Sequence, residues 1–594
     1  MNKTVSAAYQ DRKNRFDELL AKQSRSLSII STIRLLSVAG VIYFIVLYAK
    51  TENILPLIVS GLLLILFFTL VSYHKNQSDK KKLLAELKKI NEEELYALEG
   101  KFECFDDGKR FINSDHAWSY DLDLFGDRSI FQYMNRTATH MGPEKLAHML
   151  SEPVTDPKVI NKRQAIHREL SDLVNLRQHF AANARLMEKE RDEYDDLIHW
   201  IDKPVFIESY KWTKVVAYIM TIISTGVIVA GILSPPFFRL LIPIIITNLL
   251  ILSPFVQQTN KYQSLITKKH KFLETYARLQ KIIADEDFSH PQLKQASSNA
   301  TSGVQATKRL SSLLNLFDQR LNFLTGLVFN ALFLFDFHML HRLAKWKKKH
   351  RSDMPPWMEA IGAMDAQFSL ANYIYNHPDF VFPEMREDMQ GIKAEEIGHP
   401  MIHSKKRVDN TVEITREKVA LITGANMAGK STFLRSLGIN MVLTYAGSTV
   451  CADKFITGTY TLQSSMRTAD SLKDDESYFY AEIKRLKGIV EKMEAGEKLF
   501  ILLDEVLKGT NTTDKQKGSR GLIKKSTSHD VVCFIATHDL ALGEMQDEYP
   551  GKIINYCFES FVKELDLIFD YKIRTGIAQN MNASFLMKKM GIMD

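Results

Sequence analysis

The stretch Val419–Ser436, VALITGANMAGKSTFLRS, leaves few folds open. It is an apolar run with the look of a buried strand, then a loop of small residues, then the start of a helix. Gly424 to Ser431 keeps the spacing G-x-x-x-x-G-K-[ST]. The glycines let backbone N–H groups approach a phosphate, and the following helix points its positive end at it. Lys430 can then reach β- and γ-phosphates, and the Ser431 hydroxyl can bind Mg²⁺. A strand before and a helix after supply the context that gives the spacing this meaning. The expected cradle is Gly424, Ala425, Asn426, Met427, Ala428, Gly429, Lys430, Ser431 and Thr432, in an α/β P-loop domain at the C-terminal end of the chain.

Two later segments fit the same domain. KLFILLDEVLKGTNTTD (Lys498 to Asp514) is an apolar run ending in two carboxylates. Asp504 is placed to hold the metal through water, and Glu505 to polarise an attacking water. VVCFIATHDLAL (Val531 to Leu542) is another buried strand, ending in Thr537, His538 and Asp539. A histidine there is usually structural, but beside a P-loop His538 is a candidate for sensing the γ-phosphate. The expected catalytic set is Glu505, Lys430 and His538, with Ser431 and Asp504 at the metal.

The N-terminal half carries a different constraint. Apolar runs Leu35–Ala49 and Ile54–Tyr73 are separated only by KTEN, and Val215–Leu233 and Phe237–Val256 only by SPP. Runs of this length can cross a ~30 Å hydrocarbon layer as helices, the first only if it extends back past Arg34, whose side chain can snorkel. A single run could be a buried core helix; two close pairs favour hairpins at about 33–49 with 54–73 and 215–233 with 237–256. Arg25, Arg34, Lys75 and Lys80–Lys82 flank the first pair, and Lys211, Lys214, Lys261, Lys268 and Lys269 the second. The connecting loops carry only Lys50 and Glu52. By the positive-inside rule the long segments face the cytoplasm, giving a multi-pass protein of the cytoplasmic (inner) membrane. A third run, Leu321–Phe335, is shorter and precedes Asp336 and His338; it reads as a buried helix.

The first 26 positions are polar and lack the short apolar run and small-residue site of a cleavable signal. At 594 residues the chain exceeds one hydrophobic core, so roughly two to four domains are expected. Four scattered cysteines argue against a disulfide framework or structural zinc. A formal charge of +7 permits an anionic partner without demanding one. Lys80–Phe102, Pro157–Trp200 and Tyr262–Ala284 have helical apolar spacing, whereas Ser289–Thr307, rich in polar and turn residues, reads as a break. The expected division is 1–82 with the first hairpin, 83–384 as an all-α region with the second, and 385–594 as the P-loop domain.

These residues resemble the MutS mismatch-repair ATPase family. ITGANMAGKSTFLR is similar to its phosphate loop, including Asn426 and Met427. SMRTADSLKDDESYFYAEIKRL (Ser465–Leu486) is similar to its Arg-x-x-Asp segment and Ser-aromatic-Phe-x-x-Glu signature, with Ser477 and Glu482 at the matching positions. LLDEVLKGTNTTD and ATHDLAL match two further motifs, and LIFDYKIRTGIAQNMNASFLMKKMGI its C-terminal pattern. Upstream, Asp121–Asp172, MDAQFSLANYIYNHPDFVFPEM and IGHPMI resemble its helical core, lever and approach to the ATPase. The resemblance implies ATP with Mg²⁺, a homodimer in which Ser477 faces the other subunit's γ-phosphate, lever helices that carry the change outward, and DNA as partner.

Departures narrow this. The first hairpin and a short linker stand where a mismatch-reading domain would be, and the second hairpin where the lever would carry its DNA clamp. Phe-x-Glu triplets at Phe16–Glu18 and Phe206–Glu208 lie in no wedge-like context, and Ala425 replaces the loop's usual proline. Three readings follow: a membrane-anchored MutS-like ATPase acting on mismatched, branched or damaged DNA; an ATP-driven machine remodelling a membrane partner; and a nucleotide-dependent scaffold with little turnover. The second lacks a transporter's Leu-Ser-Gly-Gly-Gln segment.

Overall fold

The computed structural model describes residues 3–187, 191–267, 269–415, 417–467, 478–563 and 566–579. Among these residues ten strands, all after residue 383, build two sheets: β1 (Glu384–Met385), β2 (Ile392–Ile397), β3 (Asn410–Ile414), β4 (Val419–Gly424), β5 (Lys454–Thr457), β6 (Thr461–Ser465), β7 (Leu499–Asp504), β8 (Val531–Thr537), β9 (Ile553–Lys563) and β10 (Asp566–Thr575). The larger sheet has the order β10-β9-β4-β8-β7-β6, parallel except for β10, which runs antiparallel to β9. The smaller has the order β1-β5-β2-β3. Strands β4 and β8 are buried along their whole length, because a parallel sheet covered on both faces has no solvent side. Val419 and Leu421 enter one core with Ile489, Ile501, Ile523 and Ile535, while Ala420 and Ile422 enter the other.

That other core reaches far upstream. Trp118, Leu122, Phe131, Leu146 and Ile160 pack in one cluster with Phe433, Leu437, Phe500 and Phe534. Charge fixes the same junction. Asp121, fully buried, accepts from Ser464 Oγ (2.7 Å) and the Arg467 N–H (2.9 Å), and pairs with Arg485 (2.9 Å). Asp123 pairs with Arg435 of the P-loop helix (3.0 Å). A separate helical core holds Leu170, Phe180, Trp200, Tyr276, Leu310 and Phe368, with Ala217, Leu252 and Phe255 from the base of the second hairpin.

The first hairpin is two continuous helices, Lys3–Thr51 and Ile54–Leu98. At 1.5 Å per residue the first is about 74 Å long, so its apolar half can cross a bilayer while its polar half forms a stalk. The turn falls at Glu52, with φ 53°, and Asn53 caps the second helix by accepting from the Leu55 N–H. The second hairpin pairs Trp212–Leu233 with a broken return leg, Pro235–Leu240, Leu241–Leu252 and Ser253–Phe255, whose irregularities coincide with Pro235, Pro236 and Pro254. Among the described residues four helices are long and apolar enough to cross a membrane, and only 11–17% of their apolar windows is buried.

Two sequence expectations are corrected. Residues 289–307 are no break: they lie almost entirely in helix Pro291–Asp318, which His290 caps through the Gln292 N–H. Its small residues mark a close helix interface. A Cβ on Gly303 would sit 2.7 Å from Gln280 Nε2 and 3.2 Å from the Trp357 ring. Run 321–335 is no buried helix either. Helix Phe323–Phe333 leaves Leu327, Val328 and Phe329 about half exposed before a sharp bend at Leu334.

One buried acid makes the fold pH-sensitive. Asp365, in helix Met354–Asn376, accepts from the Ala138 and Thr139 N–H groups (2.9 and 2.7 Å) and Thr139 Oγ1 (2.7 Å). Burial pushes its carboxyl up to about 6 against the pull of these donors. An acid raised in the fold stabilises most when protonated, so its contribution is full below pH ~4 and is lost as pH rises through 6. The rise corresponds to about 3 kcal/mol. Asp365→Asn should therefore gain on the wild type as pH rises from ~4 to ~6, read as the difference between their urea midpoints.

Candidate functional site

Strand β4 ends in the loop Gly424–Gly429, and helix Lys430–Ala446 starts at once from Gly429. The loop's conformation explains its composition. Gly424 has φ 150° and a Cβ there would lie 2.6 Å from the Phe558 carbonyl; Gly429 has φ 107° with Tyr571 3.2 Å from where its Cβ would be. Met427 takes φ 68° with its side chain in solvent. Lys430 is buried, and its ammonium donates to the carbonyls of Gly424 (2.7 Å) and Ala425 (3.0 Å). Burial pushes that ammonium below its ordinary value, while Glu505 and Asp504 pull it back up.

The carboxylates come from the neighbouring strands. Asp504 ends β7 opposite Ala536 of β8, and the Glu505 N–H donates to the Ala536 carbonyl (2.9 Å). Glu505 has φ 53°, in the left-handed region, so the chain turns sharply just where its side chain enters the site. Its Oε1 lies 3.4 Å from His538 Nδ1 and its Oε2 3.8 Å from Lys508 Nζ. Burial pushes this carboxyl up, but Lys508, His538 and Lys430 outweigh it and hold it below its usual range, so it is ionised at neutral pH. Glu482 supports the turn from behind by accepting from the Leu507 (2.5 Å) and Lys508 (3.2 Å) N–H groups. All these groups stand at the carboxyl ends of parallel strands, where α/β sheets form ligand crevices.

A cavity of about 430 Å³ opens here. Of the residues expected from the sequence, Ala425, Asn426, Met427, Gly429, Lys430, Ser431, Thr432 and Glu505 line it. Gly424 and Ala428 shape the loop behind them, and Asp504 and His538 stand at the adjacent strand ends without lining the cavity. Ser477 lies outside the described residues. Sequence reasoning missed the opposite wall: Ile397, His399, Ile402, Lys406, Arg407, Val408, Phe558 and Tyr571. Tyr571 is anchored there by Asn410, whose Nδ2 donates to its carbonyl (3.1 Å) and whose Oδ1 accepts from the Ile573 N–H (2.8 Å). Burial lowers His399 to about 4, so it presents a neutral imidazole. A wall that is aromatic and aliphatic, with two cations at its edge, suits a flat heterocycle whose phosphates lie on the loop.

The comparisons with known proteins agree with this geometry. Residues 420–589 match the family described as MutS domain V. The DNA mismatch repair protein MutS of Thermotoga sp. (strain RQ2) is 25% identical over 523 residues, 81% of this chain and 64% of that protein. That of Thermotoga maritima is 24% identical over 543 residues with the same coverages. The Haloquadratum walsbyi MutS reaches 34% identity over 169 residues, 28% of this chain. The chain thus spans 64% of the length of the first two relatives. Together with the P-loop sheet and the mostly helical region before it, these matches mark a chain that carries a MutS domain V and is related to proteins of the MutS family.

Proposed function

We propose that this chain is a membrane-anchored ATPase of MutS type that binds and hydrolyses ATP, works as a homodimeric clamp and binds DNA. The observation that carries the reading is the cavity lined by the P-loop and Glu505, with Asp504 and His538 at the adjacent strand ends beside it. Lys430 would neutralise the β- and γ-phosphates, Glu505 would orient the attacking water, and His538 would report the γ-phosphate. The donor set fits Mg²⁺: a Ser431 hydroxyl and the Asp504 carboxylate are hard oxygen ligands, and this ion usually keeps waters and takes substrate phosphates for the rest. When bound, it would neutralise charge on the transferring phosphoryl group. By analogy with the family, Ser477 of each subunit would complete the other's site. The first hairpin would stand where a mismatch-reading domain would be and the second where the lever would carry its DNA clamp, so branched or damaged DNA near the membrane is the favoured substrate, and the division 1–82, 83–384 and 385–594 would give the anchor, lever and motor.

Lys430→Ala should weaken nucleotide binding about 10- to 100-fold, the loss of a charge-assisted contact of ~1.5–3 kcal/mol, measured by titration with a fluorescent ATP analogue. DNA binding is tested by electrophoretic shift of the nanodisc-embedded protein on mismatched, branched and plain duplexes. ATP-dependent binding that falls steeply with salt supports the proposal; no shift on any of them refutes DNA as partner.

A second reading, ATP-driven remodelling of a membrane partner, has its own observation. The loop bearing Ile402 and Arg407 lines the nucleotide cavity and also a neighbouring one of about 280 Å³. The second cavity's other wall includes Ala97 and Leu98, the foot of the first hairpin. A change at the nucleotide therefore has a short route to the membrane helices. Turnover in nanodiscs that responds to lipid composition and ignores DNA would favour this alternative.

A further inference from the structure

We propose that helix Phe323–Phe333 is a re-entrant membrane element: it enters the acyl-chain region beside the second hairpin, and the chain returns to the same face. The inference rests on reading helices Trp212–Leu233 and Leu241–Leu252 as membrane-embedded. Eleven residues make a helix of about 16 Å, half of a ~30 Å hydrocarbon core, so it cannot cross. After Leu334, at φ 50°, the next helix, Phe335–His350, leaves at 87° to it.

Three observations place this helix in lipid rather than in water. First, Leu327, Val328 and Phe329 are 45–50% exposed on a helix packed against the hairpin. Its neighbour Leu241–Leu252 itself exposes Ile242, Ile246 and Leu250, so the apolar surface is continuous with the spans. Second, three of the last four carbonyls of the helix find partners inside the protein. A helix leaves its last carbonyls without partners, and in hydrocarbon each must find one inside the protein. Here Asn248 Nδ2 donates to the Ala331 carbonyl (2.8 Å) and Thr221 Oγ1 to the Phe333 carbonyl (3.1 Å), both donors lying well inside the hairpin helices. The Leu334 N–H takes the Asn330 carbonyl (3.1 Å). Third, the acid at the bend is neutralised within the protein. Asp336 pairs with Arg320 (2.8 Å), and Asn330 Nδ2 donates to its Oδ1 (3.1 Å).

The return to the starting face is also visible. His341 lies 2.8 Å from Thr213 Oγ1, at the Lys211-Lys214 end of the hairpin, and Arg342, Lys345, Lys348 and Lys349 are exposed just beyond. Cations on that side follow the same positive-inside pattern as the spans.

The occupant of the exposed face is thus the acyl chains of one leaflet. The test uses the full chain with its exposed cysteine removed (Cys104→Ser), a nitroxide on Val328→Cys, and liposomes of phosphatidylcholine and phosphatidylglycerol. Labels at Ile246→Cys and Lys345→Cys give the lipid and water references, and Leu327→Cys stands in should the Val328 variant misfold. The proposal predicts that residue 328 collides with oxygen severalfold more than with a water-soluble nickel chelate, as residue 246 does. Nickel access like that of residue 345, or shielding from both reagents by a second copy of the chain, overturns it while residue 246 still reports lipid. A water-exposed residue 246 would instead refute the membrane reading of the hairpin, and this inference with it.

Discussion

Glu505→Gln is expected to lower ATP turnover by about 10²- to 10⁴-fold while leaving nucleotide affinity within a few-fold of wild type. The two effects separate because different groups serve them. Phosphate contact would fall to the P-loop and Lys430, buried at the start of its helix, whereas Glu505 enters the cavity from the end of β7. Its backbone is fixed by the Ala536 carbonyl and by Glu482 behind the following turn, so an isosteric amide should sit in the same place. What the amide lacks is the negative charge that Lys508 and His538 hold in the ionised form. Phosphate release and equilibrium ATP binding on the same preparation check the prediction. Measurable wild-type hydrolysis that this substitution abolishes also removes the scaffold alternative; turnover that survives it removes Glu505 from the reaction.

Glu94→Ala should cost about 3–5 kcal/mol of stability. Glu94 and Arg136 form a buried ion pair (2.6 Å), with side chains 3% and 10% exposed. Both carboxylate oxygens are used: Asn372 Nδ2 donates to one (2.9 Å) and Asn376 Nδ2 to the other (3.0 Å). Tyr9, from the opposite helix of the first hairpin, donates to Asn376 Oδ1 (2.8 Å). The network therefore ties both stalk helices to helix Met354–Asn376, which leads directly toward β1. Alanine strands a buried guanidinium and two amides, and that penalty exceeds the worth of the pair itself. The double substitution Glu94→Gln with Arg136→Met should recover part of the loss, since it removes both charges together. Denaturant midpoints of the detergent-solubilised variants decide it, and a single-mutant loss below ~1 kcal/mol would mean the stalk is not held here.

Strands β4, β7 and β8 were readable from the chain because each, in the middle of a parallel sheet covered on both faces, appears as an apolar run ending in a polar cluster at the site, whereas β6 (TLQSS) and β9 (IINYCFESFVK) carry polar residues inside the strand and gave no such signal. The far wall of the cavity was not readable either. Ile402 and Tyr571 line one cavity because β10 folds back along β9, and no local spacing announces a shared wall between residues so far apart. Helix Pro291–Asp318 was hidden for a different reason: serine, alanine and glycine serve a close helix contact as well as a turn, and only the partner helix distinguishes them. Run 321–335 was apolar enough to bury but lies against the apolar helices of the second hairpin with one face exposed, a surface that hydrophobicity alone cannot tell from a core. The shared core of Trp118–Ile160 with the P-loop sheet likewise has no periodic signature, being assembled from short, irregular segments.

The most direct test of the account is a flotation experiment with the Glu505→Gln protein in liposomes and fluorescent duplex and branched DNA. The account predicts that DNA rises with the lipid when ATP and Mg²⁺ are present, stays below without nucleotide, and is released by raised salt. DNA that remains at the bottom in every nucleotide state, with ATP demonstrably bound to the floated protein, would contradict it.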